Sequence, residues 1–342
     1  MSRRSAVIGL GGMGMRHLVA YQKVGVEVSA ACDQERTKWD QVKAQYPSIR
    51  LYPDHQALLA SEAKRLDIVS VVTNGPSHAA ITLDAANSGV PAILTEKPLA
   101  TRLDEARRVI DVCSKAGCRL AVNHIRRWHS GHSELRRLFR KGSLGELRHF
   151  SVQCGSTGLG NMGGHFVDLM RYYAESEIEW VIGFTDKRGT PNPRGIQFVD
   201  PGGYGMLQFR NGMRGFVDLS EDTGVPYSFQ LVGVYGRVQI EELSQIWKIS
   251  CRREEDRSVP LTRYGLPQVE IPFAGETTFD IVALTARVIE ELFSGQPPSC
   301  TGEDGYRALE AIIAFHLSDR LGGAKVQLPL SGEALSVEVH IA

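Results

Sequence analysis

The run Gly9-Leu10-Gly11-Gly12-Met13-Gly14 has the spacing G-x-G-x-x-G, and it stands where a β-branched stretch, Ala6–Leu10, gives way to an amphipathic one. Each glycine has a task in that setting. The first permits a tight strand-to-helix turn, the second lets the backbone approach a pyrophosphate, and the third lets helix and strand pack closely. The helix start, with Gly12 and Met13, then offers N–H groups to phosphate oxygens. Asp33 closes the second predicted strand, 19 residues after Gly14. A carboxylate there accepts hydrogen bonds from ribose hydroxyls and repels a 2′-phosphate, which favours NAD over NADP. Arg36, three residues on, keeps NADP open.

Two further segments follow predicted strands of the same kind. Thr73-Asn74-Gly75-Pro76-Ser77-His78 lies at the carboxyl edge, where open sheets bind ligands, and Thr73, Asn74, Pro76 and His78 are assigned to the nicotinamide side. The His78 imidazole reads equally well as a packing group at a helix start. Leu94-Thr95-Glu96-Lys97-Pro98 puts two charges directly after a buried strand, and charge in that position demands a reason. Neighbours on an extended chain point to opposite sides. Glu96 is assigned to the cofactor, and Lys97 to the cofactor and to the substrate, where an ammonium orients an oxygen and stabilises a developing alkoxide. Arg126, Arg127 and Trp128 form a cation–aromatic cluster suited to an anionic or sugar-like substrate, although Arg127 can instead pair with an acid inside the fold. His165 with Asp168, or His129 with His132, have the spacing of paired zinc ligands on a helix. No third and fourth ligands follow at a characteristic spacing, so no metal is expected.

These residues need a frame. Over residues 1–122 short apolar runs alternate with amphipathic stretches: Ala6–Leu10, Gly14–Val24, Glu27–Cys32, Arg36–Tyr46, Ile68–Thr73, Ala79–Ser88, Ala92–Thr95, Leu103–Ala116 and Arg119–Val122. That alternation predicts a doubly wound parallel sheet of the Rossmann type. After Asn123 the pattern changes to a helical Ser133–Lys141 and longer alternating runs, Leu147–Cys154, Gly205–Phe209, Gly215–Leu219 and Ser228–Val234, which predict a mostly antiparallel open sheet. The segment Asp186–Gly203, rich in Gly, Pro and charge, reads as a long loop whose charges are solvated, and Gly305–Leu321 reads as a closing helix. The expected domains are 1–122 and 123–342, the second an α/β domain for substrate and oligomer contacts.

Bulk properties exclude other classes. Lysine plus arginine and aspartate plus glutamate each number 39 in 342 residues, so no net field exists to hold a nucleic acid. No apolar run reaches the roughly 20 residues of a membrane span, and Met1-Ser2-Arg3-Arg4 runs straight into a strand without a leader-like segment. Six scattered cysteines without C-x-x-C spacing read as free thiols, as a reducing cytoplasm would keep them.

The fingerprint helix continuing to His17, the Asp33 strand, Glu96-Lys97-Pro98 and Gly163-Gly164-His165-x-x-Asp168 together resemble the glucose-fructose oxidoreductase, inositol dehydrogenase and rhizopine-catabolism superfamily, Gfo/Idh/MocA. The similarity in order runs from the first strand through Asn123–Trp128 to Gly305–Leu321 and Val326–Leu330. It implies a Rossmann domain joined to an α/β domain whose open sheet mediates homodimers or homotetramers. It also implies a catalytic Lys at Lys97 and a catalytic His at His165, with Asn123, Arg126, Arg127, Trp128 and Asn161 on the substrate side. Many members carry D-x-G-x-H where this chain has Asn161-Met162-Gly163-Gly164-His165. An amide at Asn161 can hydrogen-bond but cannot ionise, so it can take part in catalysis only as a polar partner. Asp168, at i+3 from His165, is placed to orient the ring or to pair elsewhere on the helix.

The expected activity is hydride transfer between NAD(P) and a carbinol or ketone carbon of a sugar, polyol or sugar derivative. Two alternatives come with the resemblance. One is an NAD-dependent glycosidase that oxidises, eliminates and re-reduces; the other is a nucleotide-binding regulatory protein without turnover, which the amide at Asn161 keeps open.

Overall fold

Residues 3–155, 158–192 and 194–341 are described by a computed structural model of the chain. The first alternating stretch forms β1 (Arg4–Ile8), α1 (Gly12–Lys23), β2 (Glu27–Cys32), α2 (Thr37–Gln45), β3 (Arg50–Tyr52), α3 (His55–Glu62), β4 (Ile68–Val71), α4 (Gly75–Asn87), β5 (Ala92–Thr95), α5 (Leu103–Lys115) and β6 (Arg119–Val122). The strands pair in parallel in the order β3-β2-β1-β4-β5-β6. Ala6, Val7, Ile68, Val69, Ile93 and Leu94 are fully buried, which is why these strands are continuous apolar runs: helices cover both faces. The strand order reverses between β1 and β4, and at such a switch point the loops after the strands diverge and open a crevice. The sequence pattern does not mark β3 or α3. β3 is a three-residue edge strand, and α3 is set by a cap, with Asp54 accepting from the Ala57 N–H at 2.7 Å.

The second sheet is built by β7 (Leu147–Gln153), β8 (Ile178–Thr185), β9 (Gly203–Phe209), β10 (Arg214–Leu219), β11 (Ser228–Gly233), β12 (Gly236–Glu241), β13 (Ile246–Arg252), β14 (Gln268–Ile271) and β15 (Val326–Gln327). Its order is β14-β13-β12-β11-β7-β10-β9-β8-β15, antiparallel except where β10 runs parallel to β7. Burial alternates along most of the strands, with Phe150, Val152, Leu207, Phe209, Leu231 and Ile249 on the covered face. The helices of this part are α6 (Ser130–Arg140), α7 (Gly164–Ala174) and the end of α9 (Gly302–Arg320). Gly183 and Gly205 lack side chains where the Phe315 ring of α9 lies against the sheet, so a methyl on either would overlap it.

The chain divides into two compact units. One gathers Met1–Trp128, Asp280–Leu309 and Glu333–Ala342; the other gathers His129–Phe279 and Glu310–Gly332. The first therefore takes in more than the predicted residues 1–122, for a physical reason. Helix α8 (Ile281–Phe293) buries Leu284, Val288, Ile289 and Leu292 and packs on α1, while Val122 N–H donates to the Cys300 carbonyl at 3.2 Å. No helix of the described residues is long and apolar enough to cross a membrane.

Candidate functional site

The glycines of the fingerprint occupy the turn from β1 into α1, and each is demanded by what surrounds it. Gly9 has φ +100°, and a methyl there would come within 2.6 Å of the Val72 carbonyl oxygen. A methyl on Gly14 would overlap the Gly9 carbonyl oxygen, so helix and strand meet at a distance only glycine allows. Gly11 differs from both: a methyl there meets nothing within 4 Å and points into open space. The N-terminus of α1 has no side-chain cap, which leaves its first N–H groups facing the same space. A backbone cradle that a Cβ would fill, at an uncapped helix start, fits a dinucleotide pyrophosphate.

That space is a cavity of about 400 Å³ at the switch point of the six-stranded sheet. Its walls come from the ends of three strands: Gly9 and Gly11 after β1, Asp33 and Gln34 after β2, Thr73 and Asn74 after β4. Asp33 Oδ2 accepts from the Leu10 N–H at 2.7 Å and Oδ1 from the Glu35 N–H at 2.9 Å, so its carboxylate is fixed in the wall. The cation beside it is Lys38, whose Nζ lies 3.3 Å from Asp33 Oδ2 and 2.9 Å from Glu35 Oε2. Arg36 instead lies over the Trp39 ring, 5.4 Å from its centroid. Lys38, Asp54 and His55 line the cavity without having been marked by the sequence pattern, and Ser77 joins them from within the marked Thr73–His78 segment. Lys38, five residues past Asp33, is the one that charge spacing can find.

Of the other cofactor candidates, Gly12 and Met13 form the first turn of α1, with Met13 half-buried, and Pro76 sits in the first turn of α4. Ser77 donates to Thr73 Oγ1 at 2.7 Å. The His78 ring is buried, with Nδ1 2.6 Å from the Pro98 carbonyl oxygen and Nε2 2.9 Å from that of Thr73. It thus ties the loop after β4 to the loop that carries Lys97. Burial pushes its pKa down, against the pull of the two carbonyls.

Glu96 faces inward. Its Oε1 lies 3.0 Å from His17 Nε2 and accepts from Asn123 Nδ2 at 2.6 Å; His17 Nδ1 contacts Ser70 Oγ at 3.0 Å, and Tyr21 OH reaches the same hydroxyl at 2.7 Å. Desolvation pushes the Glu96 carboxyl up, yet the bonds from His17 and Asn123 and the charges of His17 and Lys97 outweigh it and hold the carboxyl at about 2. Asn123 is 1% exposed, and with Nδ2 committed to Glu96 its Oδ1 is a buried acceptor with no hydrogen-bond partner among the described residues. Lys97, half-buried, follows Glu96 at the carboxyl edge of β5, before a cis bond to Pro98.

The Arg126–Trp128 segment packs into this unit. Arg126 is buried, Arg127 donates to Asp304 Oδ1 at 3.0 Å and to the Ser299 carbonyl at 2.9 Å, and Trp128 Nε1 donates to Glu291 Oε2 at 2.7 Å.

In the other unit, Asn161 lies in a π-helical turn, Leu159–Gly163, that runs straight into α7, and His165 is the second residue of that helix; both are half-buried. Asp168, one turn on, is buried and lies 3.6 Å from Arg171 Nη1. His132 stands between Tyr173 OH at 2.8 Å and Glu242 Oε1 at 3.0 Å, and His129 stacks on Trp247 with ring centroids 5.5 Å apart. Among the described residues no three His, Cys, Asp or Glu side chains gather as a metal ligand set.

Residues 3–124 match a family model described as an oxidoreductase family with an NAD-binding Rossmann fold. The chain is 25% identical over 355 residues to D-apiose dehydrogenase of Paraburkholderia graminis, covering 98% of this chain and 92% of that one. It is 29% identical over 348 residues to inositol 2-dehydrogenase of Mycolicibacterium smegmatis, covering 96% of each. The WlbA dehydrogenase from Bordetella pertussis, solved in complex with NADH and UDP-GlcNAcA, shares the fold with a TM-score of 0.76 at 20% identity, covering 97% of this chain and 100% of that one.

Proposed function

We propose that this chain belongs to the Gfo/Idh/MocA oxidoreductases, whose family model matches residues 3–124, and that it transfers a hydride between NAD and a carbinol or ketone carbon of a sugar, polyol or sugar derivative, as its similarity to dehydrogenases supports. The observation that carries the proposal is the cavity at the switch point, with Gly9, Gly11 and Asp33 in its wall at an uncapped helix start. The first N–H groups of α1 hold the pyrophosphate, and Asp33 takes the adenosine ribose hydroxyls. NAD, when bound, supplies the hydride acceptor at its nicotinamide ring. Lys97 orients the substrate oxygen and stabilises the negative charge that grows on it. His165 accepts the hydroxyl proton, a role that an imidazole can fill near neutral pH, and returns it in the reverse direction. Asn123 Oδ1 is the buried acceptor that a substrate hydroxyl can satisfy.

The relatives support the substrate class, since two of them are named dehydrogenases of apiose and inositol, a branched sugar and a cyclic polyol. The protein is proposed to work in a reducing cytoplasm, where its free cysteines stay as thiols, and to assemble as a homodimer or homotetramer through the nine-stranded sheet, one face of which is only partly buried along Ser151, Phe216, Gln230 and Val232. The test is a screen of polyols, aldoses and nucleotide sugars for reduced-nicotinamide absorbance with NAD and NADP. A sugar released without net NADH supports the glycosidase reading, and NAD binding with no turnover on any substrate supports the regulatory one.

A further inference from the structure

The turn that carries Asn161 and leads into the helix of His165 is gripped by a carboxylate from a distant part of the same unit. Asp200, in the loop between β8 and β9, is 5% exposed. Its Oδ1 accepts from the Gly160 N–H and its Oδ2 from the Asn161 N–H, both at 2.8 Å. The neighbouring backbone continues the grip, Leu159 N–H donating to the Pro201 carbonyl at 2.8 Å. Gly158 makes room with φ +103°: a methyl there would lie 2.8 Å from Asp200 Oδ2 and 3.0 Å from Asn161 Cβ. Oδ2 therefore meets the N–H of residue 161 beside a position that only glycine can occupy.

Two backbone N–H groups at the start of a helix are donors that favour an anionic oxygen pair. The same helix start opposes a cation, because its dipole puts partial positive charge there. His165 is the second residue of α7, which continues that turn, and the two N–H groups that Asp200 accepts from lie four and five residues before it. A carboxylate bound there places negative charge about one turn from the ring, where it favours a cation. Position 161 itself carries an amide, which cannot supply that charge.

We infer that Asp200 is a positioning residue for the Asn161–His165 turn and that it provides, from a separate loop, the negative charge that the side chain at position 161 lacks. The inference rests on reading His165 as the proton carrier.

The experiment is a pH titration of the protein with histidine labelled by carbon-13, following the ring signal of His165, which is identified by its loss in His165→Gln. Asp200→Asn is expected to move the His165 midpoint down by on the order of half a pH unit or more, and Asn161→Asp in the Asp200→Asn background to move it back. Asn161→Asp alone, a variant that keeps the Asp200 grip, is expected to move the midpoint up. A midpoint that stays in place in Asp200→Asn, or in Asn161→Asp should the first variant not fold, overturns the inference and leaves a cap without an electrostatic role. Because the titration needs no turnover, it stands apart from the reading of His165: wild-type activity in His165→Gln would end that reading even where the midpoints move as expected.

Discussion

His17 and Glu96, 79 residues apart in sequence, meet in the core with Nε2 3.0 Å from Oε1. The contact joins α1, which opens on the glycine turn, to the residue before Lys97, and Asn123 closes it from the end of β6. Two segments assigned to different partners are thus held by one carboxylate. Since the folded-state pKa of Glu96 is depressed to about 2 from an ordinary 4.5, its contribution is complete above about pH 4.5 and disappears as pH falls toward about 2. Glu96→Gln is expected to lower stability at neutral pH by about 1–3 kcal/mol and to flatten the loss of stability across that acid window, read by denaturant unfolding at a series of pH values.

The fingerprint glycines separate folding from binding. Gly14→Ala is expected to cost about 3 kcal/mol of stability because the methyl runs into the Gly9 carbonyl. Gly11→Ala meets no atom and is expected to keep the wild-type Tm while NAD affinity drops about tenfold or more, which is about 1.4 kcal/mol. Calorimetric titration beside thermal unfolding distinguishes the two, and a Gly11→Ala protein with unchanged NAD affinity would remove the pyrophosphate from that cradle.

Asp33 and Lys38 are proposed to set the choice of dinucleotide. With the carboxylate in place a 2′-phosphate is repelled, and Lys38 is occupied by Asp33 and Glu35. Asp33→Ala removes the repulsion and leaves Lys38 only its Glu35 partner, so the ratio of NADP to NAD affinity is expected to rise on the order of 100-fold. An unchanged ratio would mean that the ribose lies elsewhere.

How far the sequence speaks depends on whether a contact is local. The glycine turn, Asp33 and the strand–helix alternation are legible because one short segment contains both the residue and its reason. The His17–Glu96 pair and the Asp200 grip are not, because each needs residues brought together only by the fold. Asp200 sits in a loop whose Gly, Pro and charge content reads as solvated, yet backbone donors about 40 residues away hold it in the interior. Lys187 and Arg188 of the same loop are also paired, with Asp319 and with Asp186 and Asp222. Helix α8 carries its apolar stripe, Leu284, Val288, Ile289 and Leu292, within one segment, but that it belongs with the opening strands and helices is a fact of the fold alone.

Acid sensitivity in the second unit has its own source. Burial, then the charge of His132, pushes His129 down to about 4 against the pull of Glu242 and Glu276; burial, then Arg320, does the same to His316. Histidines with depressed folded pKa stabilise fully above about pH 6.5 and stop doing so as pH falls toward about 4. Stability is expected to decline across that range, and His129→Phe to remove close to one proton from the slope of unfolding free energy against pH. A slope identical to wild type would show that His129 titrates as it does in the unfolded chain.

The account turns on Lys97. Purified Lys97→Met, loaded with NAD and given the best substrate from the polyol and sugar screen, is the direct test. It is expected to bind NAD as tightly as wild type while turnover falls by about 10³-fold or more; turnover at the wild-type rate would contradict the assignment of this chain's redox step to Lys97.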